Sequence, residues 1–373
     1  MKRVGHLYEA ICAPENIERA ILKASLGKRD KRFVQRVLDR RAEYADAVRT
    51  LLLAKTYTPA PYTIKVIKDG ASQKERTIYK PRFFPDQVIH WALMLQLHDL
   101  LKRGMYAYTC GSVPGRGTSY AQKALRKWLD RDYKGTKYCL KMDVAKFYPS
   151  VDLDLLKAMF RRRIKDADCL WLIDTILDSS APGLPIGNYT SQWFSNFFLE
   201  GLDHFIKEEL HIRYYVRYVD DLVLLGGNKK VLHKARIAID DYLHGIHLKM
   251  KPNWQVFLVN ARAIDFLGFR FYRDHTTLRK RNALRIRRRI AKIAKKERMT
   301  YRDACAIVSY WGWIKRSDSY GFYHKYVRPY VSLADARRRI SHHARRNARL
   351  RPVGGVRHRG AGHPRRAAVG AQP

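Results

Sequence analysis

Two adjacent acids, Asp220 and Asp221, stand between apolar, β-prone runs: Tyr214-Tyr215-Val216-Arg217-Tyr218-Val219 before them and Leu222-Val223-Leu224-Leu225 after. No other segment of the chain constrains the fold as tightly. Two such runs around a short polar break predict a hairpin with the acid pair at its tip. An isolated acid pair is more often an ordinary turn than a metal site. Here the tip lacks the Gly or Asn that a tight primed turn prefers, and the flanks are apolar enough for core strands. Strands of that kind would hold two carboxylates close together, and a divalent cation relieves their repulsion most readily.

A third carboxylate, Asp143, follows the apolar run Tyr138 to Met142 and precedes a helical stretch, a position where α/β sites collect. Capping that helix is the structural alternative, but Ser150 and Asp152 lie closer to its apolar face of Leu155, Leu156 and Met159 and are better caps. Asp143, Asp220 and Asp221 together suit two Mg²⁺ ions about 3.5–4 Å apart, with Mn²⁺ as a substitute, an arrangement that activates a hydroxyl and stabilises a leaving phosphate oxygen.

Composition agrees with a phosphate-rich partner. Of 373 residues, 74 are Lys or Arg and 34 are Asp or Glu, a formal charge of +40, far beyond what solubility requires. With 46% hydrophobic residues the chain can still bury a core. No run approaches a bilayer span, and Met1-Lys2-Arg3 leads into polar residues, so neither a membrane protein nor a secreted one is expected. The cysteines, 12, 110, 139, 169 and 305, are odd in number and lack C-x-x-C spacing. A reducing cytoplasm is the expected compartment, without a disulfide framework or zinc knuckle.

Residues 14 to 55 read as basic helices, and Tyr62 to Tyr79 as two extended runs around Asp69-Gly70, a hairpin carrying Lys68, Lys74, Arg76 and Lys80. Asp86 to Leu101 predicts an amphipathic helix, and Lys137 to Tyr272 a core of short strands and helices. A basic helix is expected from Ala283 to Arg298, then further helix to Tyr330. Arg337 to Pro373, with eleven Arg and no acid, reads as a flexible polycation.

The strand-ending Asp143, the box Tyr218-Val219-Asp220-Asp221, the segment Gly183 to Gln192, and Asp265-Phe266-Leu267-Gly268-Phe269 resemble, in type and order, the motifs of reverse transcriptases. Upstream, Cys110 to Gly117 is similar to the family's fingers motif, and the likeness spans roughly residues 60 to 330. It implies an α+β right-hand polymerase: N-terminal helices and fingers over 1–136, a palm with antiparallel sheet and helices over 137–275 with part of the fingers inserted near 160–182, a helical thumb over 276–334, and a basic tail over 335–373. The reaction implied is RNA-directed DNA synthesis, with template RNA, cDNA product and dNTPs as partners.

Within the family, Ile186-Gly187-Asn188-Tyr189-Thr190-Ser191-Gln192 resembles the enzymes of diversity-generating retroelements, where many relatives have Gln-Gly-x-x-x-Ser-Pro. Those enzymes copy a template RNA with errors at adenines and act with a basic helical accessory variability determinant. Chain length after Tyr330 also leaves little room for the maturase and endonuclease regions of mobile group II introns. Ile186 in place of an amide offers only shape and apolar contact near the nucleotide, which should lower discrimination, although plain packing under a loop competes. By the same resemblance Tyr148 would sit under the sugar and reject a 2′-hydroxyl, with core packing as the alternative.

For the triphosphate the sequence does not choose among Lys74, Arg76 and Lys80; Ile186 and Gly187 complete the expected nucleotide site. Lys249 and Lys251 fall where the family can place a lysine near pyrophosphate, against a solvated basic turn. Arg116, Gln192, Arg288 and Lys292 are the expected template and primer contacts. The glycines of residues 111–117 lack a Gly-Lys-Ser/Thr ending and are not a P-loop. Rival readings are a retron, group II intron-derived or defence-associated reverse transcriptase, and an RNA-binding protein with a silent polymerase site.

Overall fold

The computed structural model of the protein describes residues 2–68, 75–180 and 182–349. The N-terminal basic segment forms α1 (Leu7–Cys12), α2 (Pro14–Ala24), α3 (Arg32–Asp39) and α4 (Arg41–Leu53). On α2, Ile17, Ala20, Ile21 and Ala24 are buried at helical spacing while its charged residues face outward. The extended runs then pair antiparallel as β1 (Thr63–Lys68) and β2 (Glu75–Lys80), with Thr63 opposite Lys80. Asp69 to Lys74, which includes the expected Asp-Gly turn and the candidate Lys74, lies outside the described residues.

Next come α5 (Val88–Gly104), the short β3 (Thr109–Cys110), α6 (Thr118–Arg131), β4 (Tyr138–Asp143), α7 (Phe147–Ser150), α8 (Leu153–Arg163), α9 (Ala167–Asp178), α10 (Tyr189–Phe198) and α11 (Glu200–His204). Asp152 caps α8, accepting from the Leu155 N–H at 2.9 Å, and Asp166 caps α9 through the Cys169 N–H at 3.0 Å. Asp166 also accepts from the Leu7 and Tyr8 N–H groups at 2.7 and 2.8 Å, which ties the N-terminus to α9. Asp152 is therefore the cap that its position suggested, and Asp143 is left for other work.

The remainder comprises β5 (Tyr214–Tyr218), β6 (Asp221–Gly226), α12 (Lys229–Gly245), β7 (Gln255–Leu258), β8 (Ile264–Phe266), β9 (Phe269–Phe271), β10 (Thr276–Leu278), α13 (Lys280–Ala294), α14 (Tyr301–Ile314), α15 (Tyr320–Tyr326) and α16 (Leu333–Arg349). A five-stranded sheet runs β3-β5-β6-β4-β7, parallel only between β3 and β5. Leu222 to Leu225 are all buried, so both faces of β6 are covered. Leu232, Ala235, Ile239 and Leu243 of α12 are buried at positions i, i+3, i+7 and i+11, and this helix packs on β4, β6 and β7. Each fully buried Leu or Ile of that stripe contributes roughly 1.5–3 kcal/mol. A second antiparallel sheet, β8-β9-β10, turns at Leu267 and Gly268, both at positive φ.

The chain divides into two compact units. One comprises residues 1–283 with 316–318, and the other 284–315 with the described residues from 319 onward. In the second unit α14 packs on α16. The expectation of a flexible polycation from Arg337 is corrected here: residues 333–349 are helical. Ala336 is wholly buried and His343 stacks on Tyr301 at 3.9 Å, so apolar and aromatic contacts anchor a helix whose composition alone reads as disordered. Residues 350–373 lie outside the described part. Among the described residues no helix is long and apolar enough to cross a membrane, and all five cysteines are free.

Candidate active site at the hairpin tip

The acid pair sits at the tip of the β5–β6 hairpin, with Val219 and Asp220 forming the turn. Asp143 closes β4 and is paired with Asp221 across the strands. Residues in such a pair have Cα atoms about 4.5–5.5 Å apart, which brings two acids 78 positions apart in sequence, 143 and 221, to neighbouring places.

Val219 has φ +58, left-handed backbone that a β-branched residue adopts only under constraint and at a cost of about 1–2 kcal/mol. Three hydrogen bonds hold the turn there. The Val219 N–H donates to the Cys110 carbonyl at 3.1 Å, the Val144 N–H to the Asp220 carbonyl at 3.1 Å, and Arg217 Nη1 to the Val219 carbonyl at 2.8 Å. Gly111, at φ +88, lies against Val219 and Tyr218; a Cβ there would come within 2.9 Å of the Val219 side chain. The start of the Cys110 to Gly117 loop, Cys110 and Gly111, is thus a buttress for the turn that carries the acid pair. Arg116 braces it, donating to the Tyr106 carbonyl at 2.9 Å.

Burial first, then the charge of Asp143, pushes the Asp220 carboxyl up to about 6. Burial likewise pushes Asp221 up to about 7, against the pull of Lys141. Repulsion among three half-buried acids is what a divalent cation would relieve. Lys251 Nζ lies 2.5 Å from Asp143 Oδ2, and Lys141 Nζ lies 3.6 Å from Asp221 Oδ1 while donating to the Asp265 carbonyl. Among the described residues no three His, Cys, Asp or Glu side chains are closed into a metal cage. The donors nevertheless suit a hard cation: Asp143 Oδ1 and Asp221 Oδ1 are buried with no hydrogen-bond partner, and all three residues offer carboxylate oxygens.

Beside the acids is a cavity of about 790 Å³ lined by Arg76, Tyr148, Ile186, Asp220 and Lys251 among others. Three of the expected nucleotide contacts therefore share one space with a site aspartate, and Lys251, read equally as a solvated turn, joins them. Gly187 contributes differently. Its φ is +129, and a Cβ would lie 2.3 Å from the Tyr79 carbonyl, so a side chain is excluded where β2 crosses the segment. The Tyr79 N–H donates to the Ile186 carbonyl at 2.8 Å, and the Leu184 N–H to the Tyr148 carbonyl at 2.8 Å. These two bonds clamp residues 184–186 between β2 and α7, over the cavity.

Gln192 is exposed on the first turn of α10 and does not line this cavity. Arg288 and Lys292 are exposed, four positions apart on one face of α13, and belong to the second unit. The buried pair Arg217–Asp203, with both side chains 0% exposed, escaped sequence reasoning altogether. Its signal was an Arg inside an otherwise apolar strand.

The profile of the reverse transcriptase (RNA-dependent DNA polymerase) family matches residues 74–271, just over half of the chain. The chain belongs to that family, and the palm-like sheet with the acid pair at a hairpin tip is its right-hand polymerase fold. Among curated relatives it is similar to the Retron Ec73 reverse transcriptase of Escherichia coli, at 26% identity over 239 residues, covering 59% of this chain and 72% of that one. Among solved structures it is similar to apo telomerase of Candida tropicalis, at 13% identity and a TM-score of 0.42 over 61% of this chain and 57% of that one. Telomerase of Candida albicans, in complex with a fragment of telomeric RNA, gives 12% identity and a TM-score of 0.46 over 79% and 62%. The chain spans less than two thirds of either telomerase chain.

Proposed function

We propose that this chain copies an RNA template into DNA within a diversity-generating retroelement, with raised error at template adenines. The observation that carries the subtype is Ile186, which lines the same cavity as Asp220 and Tyr148 and brings no amide to it. In this reading Asp143, Asp220 and Asp221 hold two Mg²⁺ ions. The metals, when bound, would lower the pKa of the attacking hydroxyl and offset charge on the leaving oxygen. The chain's own groups supply the rest: Arg76 and Lys251 meet the triphosphate, Tyr148 lies under the deoxyribose, and the segment 183–187 shapes the pocket around the base. The primer 3′-hydroxyl attacks the α-phosphorus and pyrophosphate leaves.

Fingers over 1–136, palm over 137–275, thumb over 276–334, cytoplasmic placement, and an accessory variability determinant as partner belong to the same proposal. Arg116, Gln192, Arg288 and Lys292 are its template and primer contacts. Lys74 remains a triphosphate candidate from the sequence. A second reading, a retron-type reverse transcriptase, is favoured by the 26% identity to the Escherichia coli relative. Extension on a defined RNA, with product sequencing of wild type and Ile186→Gln, separates them. Adenine-directed errors that Ile186→Gln suppresses support the diversifying enzyme; faithful copying by the wild type supports the retron reading.

A further inference from the structure

Arg217 lies inside β5, three residues before Asp220, with a wholly buried side chain. Its Nε and Nη2 donate to the two carboxylate oxygens of Asp203 at 2.7 and 2.6 Å, a forked pair. Its Nη1 donates to Asn196 Oδ1 at 3.0 Å and to the Val219 carbonyl at 2.8 Å. Asp203 also accepts from Thr109 Oγ1 at 2.6 Å and from the Tyr215 hydroxyl at 2.7 Å, and Asn196 Nδ2 donates to the Gly111 carbonyl at 2.9 Å. One buried ion pair thus joins α10, α11, β3 and β5 to the backbone of the turn.

Desolvating two charges offsets much of their attraction, so a buried pair is a poor source of net stability and a good source of fixed geometry. Only one of the guanidinium bonds reaches the turn, and it reaches the residue with the strained backbone. We propose that Arg217, oriented by Asp203, is a positioning residue for polymerisation: it holds the Val219 carbonyl so that the left-handed turn presents Asp220 and Asp221 in register with Asp143. This rests on the reading of those aspartates as catalytic. The physical link is the turn itself, since rotating Val219 out of its left-handed conformation would re-aim the next two side chains.

The test compares single-nucleotide extension by wild type, Arg217→Lys, and Arg217→Lys with Val219→Gly, across a range of Mg²⁺ concentrations. Lysine keeps the charge but cannot fork to Asp203 and reach Val219 together. Arg217→Lys should lower kcat on the order of 10- to 100-fold, the scale of a small misplacement of reacting groups, with RNA affinity unchanged and a higher Mg²⁺ requirement. Glycine takes up left-handed backbone without side-chain penalty, so Gly at 219 should restore most of the lost rate. A folded Arg217→Lys with wild-type kcat, or a double variant as slow as the single, overturns the proposal.

If thermal melting shows that Arg217→Lys does not fold, Arg217→Met combined with Asp203→Leu removes both charges and leaves no unpaired ion. Slow extension by that folded variant supports the positioning role, and full activity overturns it. A wild type that does not extend, or an active Asp220→Asn, would sink the catalytic reading beneath it instead.

Discussion

Asp143 and Asp221 face one another across the antiparallel pairing of β4 with β6. The register is fixed by buried neighbours on both strands, Cys139, Leu140 and Met142 against Leu222, Leu224 and Leu225. Both faces of β6 are covered, so a slip of one residue would mismatch close-packed side chains on each face, and packing is what sets one acid opposite the other.

That geometry makes Asp220→Asn informative, since it removes a charge and almost no volume. Primer extension should fall on the order of 10²–10³-fold or more, the scale expected when electrostatic stabilisation at a reacting phosphate is lost. RNA affinity, measured by filter binding, should stay near wild type. Undiminished extension would remove the aspartates from the mechanism.

Tyr148 lines the cavity with Asp220, and its backbone carbonyl accepts from Leu184. Tyr148→Ala should open space beneath the sugar and raise ribonucleotide incorporation on the order of tenfold or more. Alkaline cleavage of the product reads this directly. Products as alkali-resistant as those of the wild type would show that the ring only packs.

Gly187→Ala places a methyl group where the Tyr79 carbonyl approaches, on a backbone with φ +129. Strain of this kind costs about 1–3 kcal/mol. We expect a lower Tm and a higher KM for dNTP, because β2 must move away from the Ile186 carbonyl. Thermal melting and steady-state kinetics check both, and an unchanged pair of values would refute the close approach.

Asp303 is wholly buried and accepts from Arg289 at 2.7 Å, Lys296 at 2.6 Å and the Thr300 hydroxyl at 2.7 Å. Burial pushes its carboxyl up, but the bonds from Lys296 and Thr300 outweigh this and hold it down, to about 2. A depressed carboxylate stabilises the fold above its unfolded value near 3.9, and that contribution is lost as pH falls towards 2. Asp303→Ala should cost about 1–3 kcal/mol at neutral pH, through the lost cap and the donors left unpaired. The gap between variant and wild type should narrow on acidification. Denaturant melts at pH 7 and pH 3 measure it, and a gap independent of pH would contradict the assignment.

Much of this was legible from residue order. The hairpin around Asp220-Asp221, the strand ending in Asp143, and the cap at Asp152 each depend on neighbours a few positions away, where periodicity and turn chemistry act. The same local reasoning failed at residues 337–349. There an arginine-rich composition hid a helix, because the contacts that stabilise it come from α14 and not from the segment itself.

The sequence by itself determined the candidate acids and the alternation of strands and helices, since these follow from side-chain polarity and local backbone preference, and the order of its motifs carried the likeness to the family. Tertiary structure decided which groups meet: Lys251 on Asp143, Gly187 against Tyr79, and Arg217 between Asp203 and Val219. Most of those partners are distant in the chain, and even the short step from Arg217 to Val219 depends on a left-handed turn. A hydrogen bond or an ion pair is specified only once packing has brought donor and acceptor within about 3 Å of each other.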